Sequence, residues 1–297
     1  MHRYAAQSSI TAPGEMEGWL RDLPRDPFAL KRIAMQLVAH YRADDLAAFG
    51  ISEDRVPEIN LRFAATMLRR LHELDSGPLT GERASCNRIV GCCRDFTVLY
   101  LTLLRQVGVP ARGRVGFATY FDPGWAVDHV VAEIWDAVEQ RWRLVDAELP
   151  DAFVAKEDGV TLDTRDLPRD RFLVGGEAWA RCRAGEADPE RFVVAPDLEA
   201  PPTRGWLQLR HNLIQDLVAL NKREMLLWDT WGLLSDTLPT AAEEAHLDHI
   251  AAITRRPGVT AAEARALYDS DPAVQVPAQV VSFNVLSGAP ELVASGV

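Results

Sequence analysis

Gly91-Cys92-Cys93-Arg94-Asp95-Phe96, followed by the run Thr97 to Arg112, is the stretch from which this chain is read. From Phe96 onward the apolar positions are Phe96, Leu99, Tyr100, Leu103, Leu104 and Val107. Spacings of three and four predict an amphipathic helix with one buried face. Gly108-Val109-Pro110 ends it, because Gly just past the last periodic residue and Pro soon after mark a helix terminus. Two cysteines therefore sit at the first turn of a helix. The free N–H groups there carry partial positive charge and favour an anion. A thiol in that position is expected to have its pKa lowered and to become a nucleophile. The alternative is that both cysteines are small, buried and inert.

The residues that follow bear on the choice. Arg112 to Tyr120 reads as a strand. Val127 to Trp135 reads as a second strand and carries Asp128-His129. Trp142 to Val145 reads as a third and ends at Asp146, with Asp136 to Gln140 as the turn of a hairpin. His129 follows Cys93 by 36 residues and Asp146 follows His129 by 17. A thiol, an imidazole and an orienting carboxylate form the set that nucleophilic acyl chemistry needs. By the two-residue period, His129 and Glu133 share a strand face. Glu133 then reads either as a wall of the site or as one member of a charge pair. Asp128 points to the other face and is the weaker rival to Asp146.

At these residues the chain resembles the transglutaminase-like superfamily of papain-like cysteine enzymes. The resemblance is carried by Gly91-Cys92-Cys93-Arg94-Asp95-Phe96, by Arg105-Gln106-Val107-Gly108-Val109-Pro110-Ala111-Arg112, by His129, and by Trp142-Arg143-Leu144-Val145-Asp146. It runs from about Asp54 to Pro150. The chain departs from the family pattern where Val130-Val131 follow the His and Ala147 follows the Asp. Helical periodicity does not separate Cys92 from Cys93, since successive residues lie about 100° apart. The family pattern does: its Cys precedes x-Asp-Phe, which selects Cys93 and leaves Cys92 as a core or supporting thiol. Papain-like enzymes also use a residue upstream of the nucleophile to hold the oxyanion, and Asn87 stands in that place. Its alternative is an ordinary turn residue. Asp95 reads as helix N-terminal charge in preference to a partner of Arg112 or Arg114.

Composition sets the wider bounds. The chain has 297 residues, enough for one large domain or two small ones. Its net charge is −11 and it has no basic run, which argues against nucleic-acid and anionic-membrane partners. Cys86, Cys92, Cys93 and Cys182 show no paired Cys-x-x-Cys spacing, so a structural zinc site is not expected. Vicinal Cys92-Cys93 suits a reducing compartment. Neither a secretory leader nor a membrane-spanning run is evident, and the expected location is cytoplasmic.

Outside the core, helices are predicted at Gly14–Leu23, Asp26–Tyr41, Ile59–Leu74, Phe172–Arg183, Arg204–Leu220 continuing to Leu234, Ala241–Thr254 and Ala261–Asp269. Asp75 to Ile89 and Pro150 to Asp170 read as loops. The Arg204–Leu220 segment carries Gln208, His211, Asn212 and Asp216, read as a solvated helix face or as pocket lining. The expected fold is α+β: a papain-like, transglutaminase-like core with helical N- and C-terminal additions. The core with its N-terminal helices spans 1–160, and a mainly helical extension spans 161–297. The expected function is a Cys93-His129-Asp146 cysteine enzyme acting through an acyl-enzyme on a peptide, amide or thioester, most simply by hydrolysis. Transfer to an amine in a biosynthetic pathway and a non-catalytic binding module are the alternatives. The resemblance calls for no metal or organic cofactor.

Overall fold

The computed structural model describes residues 2–296. In chain order the helices are α1 (His2–Ala5), α2 (Pro27–Met35), α3 (Ala64–Leu74), α4 (Cys93–Gln106), α5 (Gly175–Arg183), α6 (Gly205–Leu220), α7 (Ala241–Thr254) and α8 (Ala261–Ser270). The strands are β1 (Val38–His40), β2 (Ile89–Gly91), β3 (Ala111–Ala118), β4 (Ala126–Asp136), β5 (Arg141–Val145), β6 (Ala152–Val154), β7 (Thr161–Asp163), β8 (Phe172–Val174), β9 (Phe192–Val193), β10 (Asp229–Thr230), β11 (Gln279–Phe283) and β12 (Pro290–Ala294). The fold is α+β, with the cysteine helix α4 packed on an antiparallel sheet and further helices added on both sides.

Helix α4 is more deeply placed than its periodicity implies. Every residue except Gln106 is buried, so it has no solvated face. Its polar residues are accommodated by hydrogen bonds, as burial requires. Thr97 Oγ1 donates to Val130 O at 2.9 Å, and Thr102 Oγ1 donates to Thr11 O at 3.0 Å. Arg94 donates to the carbonyls of Leu61, Arg62 and Glu224, and Arg105 to that of Ala111 and to the Glu224 carboxylate. Asp95 closes the helix start: it accepts from the Cys92 N–H at 2.9 Å and from Arg94 at 3.0 Å. This is the helix-end role, and neither Arg112 nor Arg114 is its partner.

The main sheet runs β5-β4-β3-β8, all antiparallel, with β9 parallel to β4. Its register sets Gly116 opposite His129, Arg112 opposite Glu133 and Trp135 opposite Trp142. His129 thus lies toward one end of β4 and the tryptophans toward the other.

Several local readings are corrected by long-range pairing. The helix expected to reach Tyr41 stops at Met35; Leu37, Val38 and Ala39 are wholly buried, and β1 pairs in parallel with β2. Three successive buried apolar residues suit a strand covered on both faces. The segment 75–89, read as a loop, enters β2 at Ile89. At Gly91 a Cβ would lie 2.7 Å from Asp95 Oδ2 and 2.8 Å from Val38 Cγ1, so the chain can enter α4 only with glycine there. Helix α5 starts at Gly175, since Phe172–Val174 joins the main sheet. The stretch after Leu220 leaves the helix, and Asp229–Thr230 pairs with β11. Pro150 to Asp170 holds the small β6–β7 pair.

Helix α6 carries a buried polar face, and Asn212 and Asp216 on it are clamped to the sheet instead of solvated. Asp216 accepts from Arg114 at 2.8 Å and from the Val115 N–H at 3.0 Å. Asn212 donates to Gly116 O and to Asp128 Oδ1, both at 2.8 Å. Glu133, fully buried, accepts from Arg112 at 2.6 Å, Arg114 at 3.1 Å and Arg169 at 2.6 Å. It is the hub of a charge cluster, which removes it from the wall of the site.

Candidate active site

Cys93 is the first residue of α4, and Thr97 lies one turn along on the same helix face. Thr97 is bonded to the backbone of Val130, and Cys93 packs against the Val130 side chain. The start of α4 is therefore held against β4 at the residue next to His129. Cys92 packs in the same cluster from the helix cap. Both cysteines are buried and free.

His129 Nε2 lies 2.8 Å from Asp146 Oδ2. Asp146 stands just past the end of β5, fully buried. It also accepts from the Tyr120 hydroxyl at 2.8 Å and from the Glu148 N–H at 3.0 Å. Three donors on one carboxylate fix its orientation and favour its ionised form. Burial opposes that form, but His129, the Tyr120 hydroxyl and the Glu148 amide outweigh it and hold the pKa below the ordinary 3.8. With Nε2 committed to Asp146, the free nitrogen of His129 is Nδ1. The imidazole is boxed by edge-on aromatic rings, Phe121 at 5.0 Å and Tyr120 and Phe172 at 6.3 Å.

The structure thus joins His129 to Asp146 directly and places Cys93 in a buried cluster with Val130, the residue after His129. Among the described residues Cys93 makes no hydrogen bond to the imidazole; catalytic contacts in unliganded sites often tighten only when substrate arrives. Asp128 is held by Asn212 instead of by His129, and burial pushes its carboxyl up to about 6. Asn87 is placed differently from its expected role. It ends a single helical turn, Ser85–Asn87, and its N–H bonds to Ala84 O. Its Oδ1 faces Cys86 Sγ at 3.6 Å. Asp75 sits below its ordinary pKa, chiefly through the Gly77 N–H, and the Asn87 amide adds to this. Asn87 is a turn residue whose side chain is spent on its own loop.

Four further side chains surround the site without having been singled out in the sequence. Tyr120 orients Asp146. Glu148 has a buried Oε2 with no protein partner, and burial first, then Asp146 and Asp44, push its pKa up. Tyr41 packs against the cysteine pair, and burial with the nearby Cys92 raises its phenol to about 12. His40 stacks on Tyr41 at 5.5 Å. Only Tyr120, at the end of a predicted strand, carried a local signal.

The helix N-terminus was expected to lower the thiol pKa. Here the hydrogen bond that the Cys93 thiol donates to Cys92, then burial, the charge of Cys92 and those of Asp128 and Glu148 drive the Cys93 pKa well above its ordinary 9.0. Burial lowers the His129 pKa, but Asp146, Glu148 and Asp128 more than offset it, leaving it raised above 6.5. The resting pair is therefore a neutral thiol beside a basic imidazole. Alkylation of Cys93 by iodoacetamide is expected to show a midpoint above that of a free thiol; a midpoint below it would show that the helix end governs the sulfur. Acylation needs neutral imidazole, so its rate should climb with pH through a midpoint above 6.5. The stability that His129 contributes has the opposite sense: whole below 6.5, it is lost as pH rises through the folded-state value.

Among the described residues no cluster of three or more His, Cys, Asp or Glu could hold a metal, and no helix is long and apolar enough to cross a membrane.

Comparison with known proteins bears on the same segment. Residues 73–147 match the family model described as the transglutaminase-like superfamily. A search of curated proteins gave no match. A solved structure from Cytophaga hutchinsonii, described as a "Putative Cysteine Protease", is 15% identical to this chain with a TM-score of 0.34. The similarity covers 58% of this chain and 44% of that one, so this chain spans less than half of that protein. The matched segment contains α4, the β3–β4–β5 meander, and Cys93, His129 and Asp146. Over residues 73–147, about a quarter of its length, the chain is similar to the transglutaminase-like superfamily.

Proposed function

We propose that the protein is a cysteine enzyme that makes and resolves an acyl-enzyme on Cys93. The carrying observation is the 2.8 Å His129–Asp146 contact beside a helix-start cysteine, which leaves Nδ1 as the base available to the thiol. Sulfur adds to the carbonyl carbon of an amide or thioester while Nδ1 takes the thiol proton. The oxyanion collapses, the bond to the leaving group breaks, and the imidazolium returns the proton to that group. Asp146 stabilises the imidazolium throughout. His129 acts as the general base during attack.

The thioester on Cys93 then passes to water, the preferred reading, or to an amine. Incubation with p-nitrophenyl acetate followed by intact-protein and peptide mass spectrometry tests the proposal. A burst of nitrophenol with one acetyl group on Cys93 is expected. Decay of the adduct by hydrolysis in the presence of millimolar primary amine supports a hydrolase; conversion of the amine to amide supports an acyltransferase. Acetyl on no cysteine, or only on exposed Cys86, refutes the proposal.

A further inference from the structure

An acyl transfer at Cys93 creates a negative oxygen, and Asn87 is not available to hold it. Helix α4 offers one donor: the Cys93 N–H belongs to the first turn, where amides lack intrahelical acceptors. A second donor is to be sought on the strand beside the helix start. β1 pairs with β2 so that His40 stands opposite Gly91, one residue before the cysteine pair. Tyr41, the next residue, is tied by its N–H to Gly91 O at 2.9 Å and packs on Cys92 and Cys93. The His40 ring stacks on that tyrosine with an interplanar angle of 20°.

The tautomer of His40 is fixed by its turn. Nδ1 accepts two backbone N–H groups, from Arg42 and Ala43, each at 3.1 Å. A nitrogen that accepts cannot carry the proton, so in the neutral ring the proton is on Nε2. Among the described residues Nε2 has no hydrogen-bond partner. Burial, with the charges of His129 and Arg42, lowers the pKa to about 4, so the ring is neutral at ordinary pH. A neutral imidazole with a committed acceptor side is a fixed N–H dipole, suited to polarising a carbonyl without giving up its proton.

From this placement we infer that His40 Nε2–H is the side-chain donor to the oxyanion formed at Cys93, acting with the Cys93 backbone N–H. The inference rests on the acyl-enzyme reading above. It makes His40 a catalytic residue contributed by the N-terminal part of the chain, ahead of the segment that matches the family model.

Two substitutions separate donor from scaffold. His40→Asn keeps an acceptor near Nδ1 for the turn and removes the donor at the ε position. His40→Gln places an amide N–H near that position. The readouts are the p-nitrophenyl acetate burst rate and, in parallel, iodoacetamide alkylation of Cys93. Alkylation develops no oxyanion. His40→Asn is expected to slow the burst about 10²–10³-fold, the usual effect of losing one such donor. Alkylation should stay within about threefold, and His40→Gln should recover at least about tenfold of the burst. A burst in His40→Asn within about threefold of wild type would overturn the inference. So would alkylation falling in parallel with the burst, which would assign His40 to the scaffold. So would a loss confined to Tyr41→Phe, which would move the donor to the phenol. A wild-type protein that never acetylates Cys93 would instead remove the acyl-enzyme reading and this inference with it.

Discussion

Cys93→Ala is expected to abolish the nitrophenol burst and all turnover, a loss of about 10⁴-fold or more, as befits removal of a nucleophile. The fold should survive, because the change deletes one small buried group at a cost of about 1 kcal/mol. Cys92→Ser is the matched comparison, since Cys92 caps α4 and packs beside Cys93. It should retain acylation at Cys93. Mass spectrometry on both variants reads the result without knowledge of the natural substrate. Activity retained in Cys93→Ala and lost in Cys92→Ser would transfer the chemistry to the capping residue. Activity retained in both would end the cysteine mechanism.

Glu133→Gln carries the largest expected effect on stability. Glu133 and both Arg112 and Arg114 are fully buried, and Arg169 completes the cluster. Although burial works against its charge, Arg112, Arg114 and Arg169 hold the Glu133 carboxyl far below the ordinary glutamate range. Removing its charge leaves Arg112 without a carboxylate partner and Arg114 with Asp216 alone. Breaking a buried pair in this way typically costs about 3–5 kcal/mol. At roughly 2–4 °C per kcal/mol, Tm should fall by roughly 6–20 °C. The pH dependence supplies a second readout. A carboxylate with a depressed pKa stabilises the fold above its unfolded value near 4.5, and that stability is lost as pH falls through the folded value. Glu133→Gln should therefore be destabilised at neutral pH and show a shallower decline on acidification. A Tm within 2 °C of wild type, measured by calorimetry, would mean that the arginines find other partners and that Glu133 is not the hub.

What could be read from the sequence was what is local. The Phe96 to Val107 spacing gave α4, and the turn at Asp136 to Gln140 gave the β4–β5 hairpin. The order of a cysteine, His129 and Asp146 in the chain followed from those elements, and the choice of Cys93 over Cys92 from the family resemblance. The missed features depend on residues far apart in sequence. β1 exists because Val38 finds Ile89, so a window around residues 26–41 sees only a continuing helical pattern. His40 became visible as a site residue only with that pairing. Asp216 lies 102 residues from Arg114, and nothing near either one announces the bond. The environment of the thiol is only partly local. The helix end is a local property; the hydrogen bond to the neighbouring Cys92 raises the thiol most, and the burial that follows it, with the smaller effects of Asp128 and Glu148, is assembled by the tertiary fold.

The Asn212 and Asp216 contacts bear on any attempt to transplant this chemistry. The segment 73–147 contains the sulfur, the imidazole and the carboxylate, but Arg114 is neutralised from helix α6 and Asp128 is tethered from it. A graft of that segment into another scaffold would import a stranded guanidinium and an untethered acid along with the reactive groups. The minimal exchangeable unit therefore reaches at least to Asp216.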